Sequence, residues 1–292
     1  MAPMSRFSRS LAQSRARVDV RWRRSTKWLR DRRRPRLAAP PATAVATGKV
    51  EGGVFEIRLT GGERRNVLGR ATIDRIEELV AAPPSGTKVI VITAEPPDFC
   101  AGYDLVEASR GAAEGLIAHE SNFATLRQSS VPIVIALQGN VIGGGLELAL
   151  SGDIRVASPE TRFAIPAAKL GLVYSEAGIR LVVAAVGESV ARALFLGGRD
   201  ISSESALSMG LVTEIVGREQ LRDRALELGR SIASWSDVAS SGNRQILDVV
   251  AGRISVDTRE LRLESFAPHS DLSNSISRFV ARRAESAGGL VK

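Results

Sequence analysis

Apolar positions change their spacing repeatedly along this chain, and each change predicts an element. Val54, Ile57 and Leu59 followed by Gly61 and Gly62 predict a short strand and a turn. Residues 71–82 take helical spacing, with Ile73, Ile76 and Leu79 on one face, until Pro83 and Pro84 stop it. Residues 88–93 (KVIVIT) form an unbroken β-branched run of the kind buried on both faces of a sheet. Residues 133–137 (IVIAL) are a second such run, and residues 154–157 (IRVA) a shorter third. Strands alternating with helices predict an α/β core, with crossover connections between parallel strands. Beyond Ser175 the spacing is helical almost throughout: residues 177–186, 189–196, 203–209, 218–235, 238–250, 257–266 and 272–284. An α/β half is therefore expected to precede a helical half.

Charge divides the chain at nearly the same place as the hydrophobic pattern. The formal charge is +8, yet residues 1–40 hold 13 basic residues against Asp19 and Asp31, which leaves the body mildly acidic. A basic protein ordinarily suggests a nucleic-acid partner, but here the basicity belongs to an extension, and none is expected for the body. The Arg-rich, Ser-rich segment ending at Pro35, Pro40 and Pro41 has the composition of a targeting peptide, and equally that of a disordered extension over residues 1–47. The body's localisation is expected to be cytoplasmic, or the mitochondrial matrix if residues 1–45 are a transit peptide. No apolar run is long enough to predict a transmembrane segment. Cys100 is the single cysteine, which excludes an intrachain disulfide and a Cys-cluster metal site. With only His119 and His269 beside it, a multi-His metal centre is not expected.

The chemistry is concentrated in two segments that directly follow apolar strands, where α/β proteins place their ligands. The first is residues 98–105 (DFCAGYDL) and the second residues 139–148 (GNVIGGGLEL). Three consecutive glycines open the second segment's helix, so a ligand can approach main-chain amides that have no partner inside that helix. Such amides stabilise an oxygen carrying negative charge. No Gly-Lys-Ser/Thr follows the glycines, the Gly-x-Gly-x-x-Gly spacing is absent, and the chain has no Gly-x-Ser-x-Gly elbow. A purely structural glycine turn remains the alternative.

Together with residues 163–172 (FAIPAAKLGL) and 201–212 (ISSESALSMGLV), these segments resemble the crotonase superfamily, also called enoyl-CoA hydratase/isomerase, over about residues 48–286. The resemblance implies a crotonase (ClpP-like) α/β fold: a repeated ββα spiral core over residues 48–196, then a helical C-terminal region over residues 197–292 that makes trimers or hexamers. It also implies an acyl-CoA thioester substrate whose enolate is stabilised by the amides of Tyr103 and Gly144. No cofactor is implied beyond the coenzyme A that the substrate carries. The coenzyme A side is expected to involve Arg64, Asn66, Val67 and Leu68, and around the oxyanion loops Ala101, Gly102, Asp104, Leu105 and Gly143; either arginine of residues 64–68 reads equally as a solvated basic turn.

Hydratases of this family use two glutamates. Glu147 matches the first, three residues past Gly144 and so on about the same helix face. The second should follow Pro166, but Ala167 stands there and cannot transfer a proton. Tyr174 and Glu176 lie nearby in sequence and are further catalytic candidates. Tyr174 reads otherwise as packing, and Glu176 as a helix N-terminal carboxylate. The expected activity is that of an enoyl-CoA hydratase-type lyase in acyl-CoA metabolism. The alternatives are a methylmalonyl-CoA decarboxylase-like enzyme, suggested by Tyr174 and Tyr103, and a weak acyl-CoA-binding member.

Overall fold

In the computed structural model the described residues are 44–105, 107, 123–252, 259, 262, 270–272 and 274–278. Six strands form the main sheet: β1 (Val45–Thr47), β2 (Val54–Leu59), β3 (Val89–Ala94), β4 (Ile133–Leu137), β6 (Ile154–Ala157) and β9 (Glu214–Ile215), side by side in that order. Only β1 runs antiparallel, and the pairings from β2 to β9 are parallel. A second sheet of β5 (Asn140–Ile142), β7 (Arg162–Ala164) and β8 (Ile201–Ser202) lies along the chain's crossing loops. Because β1 pairs with β2, the folded body already includes Val45, upstream of the start expected from the charge boundary.

The β-branched runs are buried on both faces, as their composition predicts. Along β3, Ile90 and Ile92 enter the larger core while Val89 and Val91 enter a smaller one on the opposite face. β4 repeats the division, with Ile133, Ile135 and Leu137 against Val134 and Ala136. On the larger face lies α1 (Arg70–Ala81), whose Ile73 and Ile76 are fully buried.

The expected helical half is not separate from the sheet. β8 pairs with β7 and β9 with β6, so residues 201–215 complete both sheets, and the described residues from Ala44 onward belong to one unit. The longer helix α7 (Leu221–Ala233) covers the smaller core. It sits close to the sheet because Gly229 has no side chain; a Cβ there would lie 2.9 Å from Val91 Cγ2. Arg222 anchors it further, donating to the buried Glu56 carboxylate through Nε at 2.8 Å and Nη2 at 2.5 Å. Residues 177–196, read as two helices, form α5 (Glu176–Phe195), broken where Gly187 adopts φ 77°. α8 (Asp237–Val250) follows. The expected helices at 257–266 and 272–284 fall largely outside the described residues, as does the extension 1–43.

α8 carries a buried arginine, Arg244. Its Nε donates to Asp153 Oδ2 at 2.9 Å, Nη1 to Ser129 O at 2.7 Å and Nη2 to Leu126 O at 2.8 Å. Asp153 also accepts from Ile133 N at 2.7 Å. One guanidinium thus joins α8 to the start of β4 and to the end of the short helix α2 (Ala124–Arg127).

Candidate active site

The two glycine-containing segments are laced together by main-chain hydrogen bonds. Phe99 N donates to Gln138 O at 2.6 Å, Cys100 N to Asn140 O at 3.0 Å, and Ile142 N to Cys100 O at 3.0 Å. On the other side, Ala101 N reaches Arg65 O at 2.9 Å, Leu68 N reaches Gly102 O at 2.8 Å, and Asp104 N reaches Leu68 O at 2.9 Å. Isolated parallel bridges, Cys100 to Val141 and Leu68 to Tyr103, thus seat residues 100–104 between residues 65–68 and 140–142. Since Gly102 and Asp104 bond to Leu68, the Tyr103 N–H faces away from Leu68.

Gly144 opens α3 (Gly144–Ser151), and its first-turn amides have no partner within the helix. The loops meet closely there. A Cβ on Gly102, which has φ 97°, would lie 3.0 Å from Ile142 O and 3.8 Å from Gly144 N. A Cβ on Gly145 would lie 2.7 Å from both Cys100 Cβ and Cys100 O. Any larger residue at these positions separates the loops that carry the Tyr103 and Gly144 amides.

Buried polar groups brace the crossing. Asp98 Oδ1 accepts from Asn140 N at 2.8 Å and from Asn140 Nδ2 at 2.7 Å. Asn66 is buried at φ 51°, and its Nδ2 donates to Glu95 O at 2.8 Å and Asp98 O at 2.7 Å. The side chain expected on the coenzyme A side is therefore turned inward and used as a strut. Leu68 is likewise buried, whereas Val67 is only partly covered. The Arg64 guanidinium pairs with buried Asp104 at 2.8 Å, which fixes residues 64–68 to the oxyanion loop. Leu105 projects, 52% exposed, at the rim.

Glu147 is buried one turn into α3, on the face that begins with Gly144. The Tyr174 hydroxyl donates to Glu147 Oε1. Burial raises the pKa of Glu147 above its ordinary value, partly offset by the Tyr174 hydrogen bond, by the nearby Tyr103 hydroxyl and by the positive charge of Arg127. Tyr174 is pushed well above the usual phenol range, first by burial and then by the negative charge of Glu147, so it remains a hydroxyl donor. Its ring meets Phe195 edge-on, 5.1 Å between centroids, and lies over Gly178, where a Cβ would come within 2.6 Å.

The remaining candidates separate from this cluster. Glu176, in the first turn of α5, is 78% exposed and pairs with Arg180 at 2.6 Å. Geometry gives it the helix-terminal role and does not bring it to Glu147. Ala167 begins the four-residue α4 (Ala167–Leu170) and is buried, adding no titratable group. Cys100, whose thiol burial drives up to about 12, is a packed filler beneath Gly145. Sequence reasoning missed Asp98 and Asn140 as braces, Arg127 beside Glu147 and Arg244 as a staple. An Asp directly before the oxyanion loop was a visible signal for the first; the others depend on contacts between distant segments. Among the described residues, no group of His, Cys, Asp and Glu is placed to hold a metal ion.

A family model described as enoyl-CoA hydratase/isomerase matches residues 49–286. Among curated proteins, the rat mitochondrial enoyl-CoA hydratase domain-containing protein 3 is 36% identical over 193 residues, 63% of either chain. Carnitinyl-CoA dehydratase of Proteus mirabilis is 31% identical over 166 residues, 56% of this chain and 64% of that protein. The match thus spans a little under two thirds of the length of these relatives. Among solved structures, an enoyl-CoA hydratase subunit I from Geobacillus kaustophilus superposes with a TM-score of 0.75 at 25% identity, covering 82% of this chain and 95% of that one. With its two laced loops and its glycine-opened helix, the chain belongs to the enoyl-CoA hydratase/isomerase family.

Proposed function

We propose that the protein is an acyl-CoA-processing enzyme of the hydratase/isomerase type, most simply an enoyl-CoA hydratase-type lyase. The carrying observation is the buried Glu147 carboxyl, one turn beyond Gly144 and bonded by the Tyr174 hydroxyl. In this reading the Tyr103 and Gly144 amides receive the thioester oxygen as it becomes an enolate oxyanion. Removing one such donor costs about 10²–10³ in rate. Glu147 moves the proton at the carbon beside the thioester, which a carboxyl with a raised pKa does more readily near neutral pH than an ordinary one. Tyr174 positions it. The substrate carries coenzyme A, and no further cofactor takes part.

A second reading is favoured by Ala167 and the Tyr174 contact. With a single carboxyl at the site, loss of CO₂ from a malonyl-type ester forms the same enolate with less proton transfer, as in a methylmalonyl-CoA decarboxylase-like enzyme. Turnover measured on enoyl-, 3-enoyl-, 3-hydroxyacyl- and malonyl-type CoA esters separates the two. Hydration or isomerisation supports the first, activity on malonyl-type esters alone supports the second, and binding without any turnover supports a weak acyl-CoA-binding member.

Assembly into trimers or hexamers through residues 197–292 belongs to the same reading, and exposed Leu247 and Val250 on α8 supply apolar surface for it. Light scattering tests it, and a monomer overturns it. No helix of the described residues is long and apolar enough to cross a membrane. The cytoplasm is the simplest location for the body. The mitochondrial name of the rat relative favours the alternative in which residues 1–45 act as a transit peptide. A fluorescent protein fused behind residues 1–45 distinguishes them.

A further inference from the structure

The amide of Tyr103 has a role in the reading above, but its side chain does not. The ring lies directly on Gly144: a Cβ at that glycine would come within 2.7 Å of Tyr103 Cε2 and Cζ. Its far end lies near enough to the Glu147 carboxyl to favour the charged form. One side chain therefore stretches from the residue that, in the reading above, donates to the thioester oxygen toward the residue that moves the proton, and in that reading the acyl group passes alongside it.

Tyr174 cannot adjust to make room. It is wedged between Gly178 and Phe195, and its hydroxyl is committed to the same carboxyl. Glu147 is held in the helix that begins with Gly144. Tyr103, by contrast, is only partly covered.

We propose that the Tyr103 side chain is the specificity-determining residue of this site, its ring on Gly144 limiting the substrate to CoA esters of short acyl groups. The proposal rests on the acyl-CoA reading above and adds the substrate class to it. A wall of this kind discriminates steeply, since one methylene too many or too few in an apolar pocket changes selectivity by about 10–200-fold.

The test compares the full chain with Tyr103→Ala and Tyr103→Phe. Dissociation constants are measured for butyryl-CoA and decanoyl-CoA, and kcat/KM for crotonyl-CoA and 2-decenoyl-CoA where turnover occurs. Wild type should prefer the short esters by at least about tenfold. Tyr103→Ala should move the long-to-short ratio toward the long ester by about tenfold or more. Tyr103→Phe keeps the ring's volume and should leave that ratio within about threefold, while the loss of the hydroxyl near Glu147 moves the acid limb of the pH–rate profile to higher pH. If Tyr103→Ala fails to fold, Tyr103→Leu is read in the same way. A wild type that binds decanoyl-CoA as tightly as butyryl-CoA, or a truncation that leaves the ratio unchanged, overturns the assignment to Tyr103. Binding of neither ester by wild type overturns the acyl-CoA reading itself, and the inference with it.

Discussion

The two halves of the site are built from different materials. At the loop crossing, the Tyr103 and Gly144 amides are positioned by main-chain hydrogen bonds and by glycines that let two backbones touch. At the proton-transfer end, three side chains far apart in sequence converge: Tyr103, Glu147 and Tyr174. In the proposed reading the first half receives the oxyanion and depends on its glycines, while the second half selects the reaction. The second half is also where this chain departs from the two-glutamate pattern, with Ala167 in place of an acid.

The sharpest way to break this division is Glu147→Gln. It should lower turnover by about 10²–10⁴ with little change in acyl-CoA affinity, measured as kcat against Kd. Stability should move the other way. Because folding raises the carboxyl's pKa, its ionisation opposes the folded state, and stability is lost as pH rises through that raised value. The Gln variant lacks this loss and should melt no lower than wild type at neutral pH.

Gly144→Ala tests the main-chain half. Its methyl runs into the Tyr103 ring, and displacing the amide should cost about 10²–10³ in kcat on every CoA ester alike. Substrate-selective loss would show that the two halves are not separable.

Arg244→Ala touches neither half. It leaves partly buried Asp153 and buried Asp248 without their cation and should destabilise the fold by about 3–5 kcal/mol in a denaturant titration, with the kcat of the folded fraction retained.

Among the changes at the site itself, Tyr174→Phe should have the smallest effect on rate, about tenfold at neutral pH. By removing a hydrogen bond that favours the charged carboxylate, it should shift the acid limb of the pH–rate profile to higher pH. An unshifted limb would detach Tyr174 from Glu147 during the reaction.

The same division explains what could be read from residues alone. β3, β4 and α1 were legible because burial on both faces demands continuous β-branched runs and burial on one demands helical spacing. The two crossing loops were legible because close backbone approach demands glycine, and glycine runs are visible. Short strands such as β1, β5 and β8 left no periodic signal in two or three residues. Asn66 illustrates a harder limit. The likeness of residues 64–68 to the family's coenzyme A-contacting segment suggested a ligand contact, but the Asn66 side chain serves as an internal strut, with its partners in Glu95 and Asp98, 29 and 32 residues away. Glu176 and Tyr174 stand two residues apart in sequence, yet one points to solvent and the other to Glu147, and only the helix start between them decides which.

Cys100 carries a practical consequence. The chain has one thiol, and it is sealed beneath the loop crossing with its ionisation suppressed. The native protein is therefore already silent to maleimide chemistry. A single cysteine introduced at exposed Val173, beside Tyr174, would be the only reactive handle. A fluorophore or spin label attached there reports on motion near the acyl side of the site without any need to engineer a cysteine-free background.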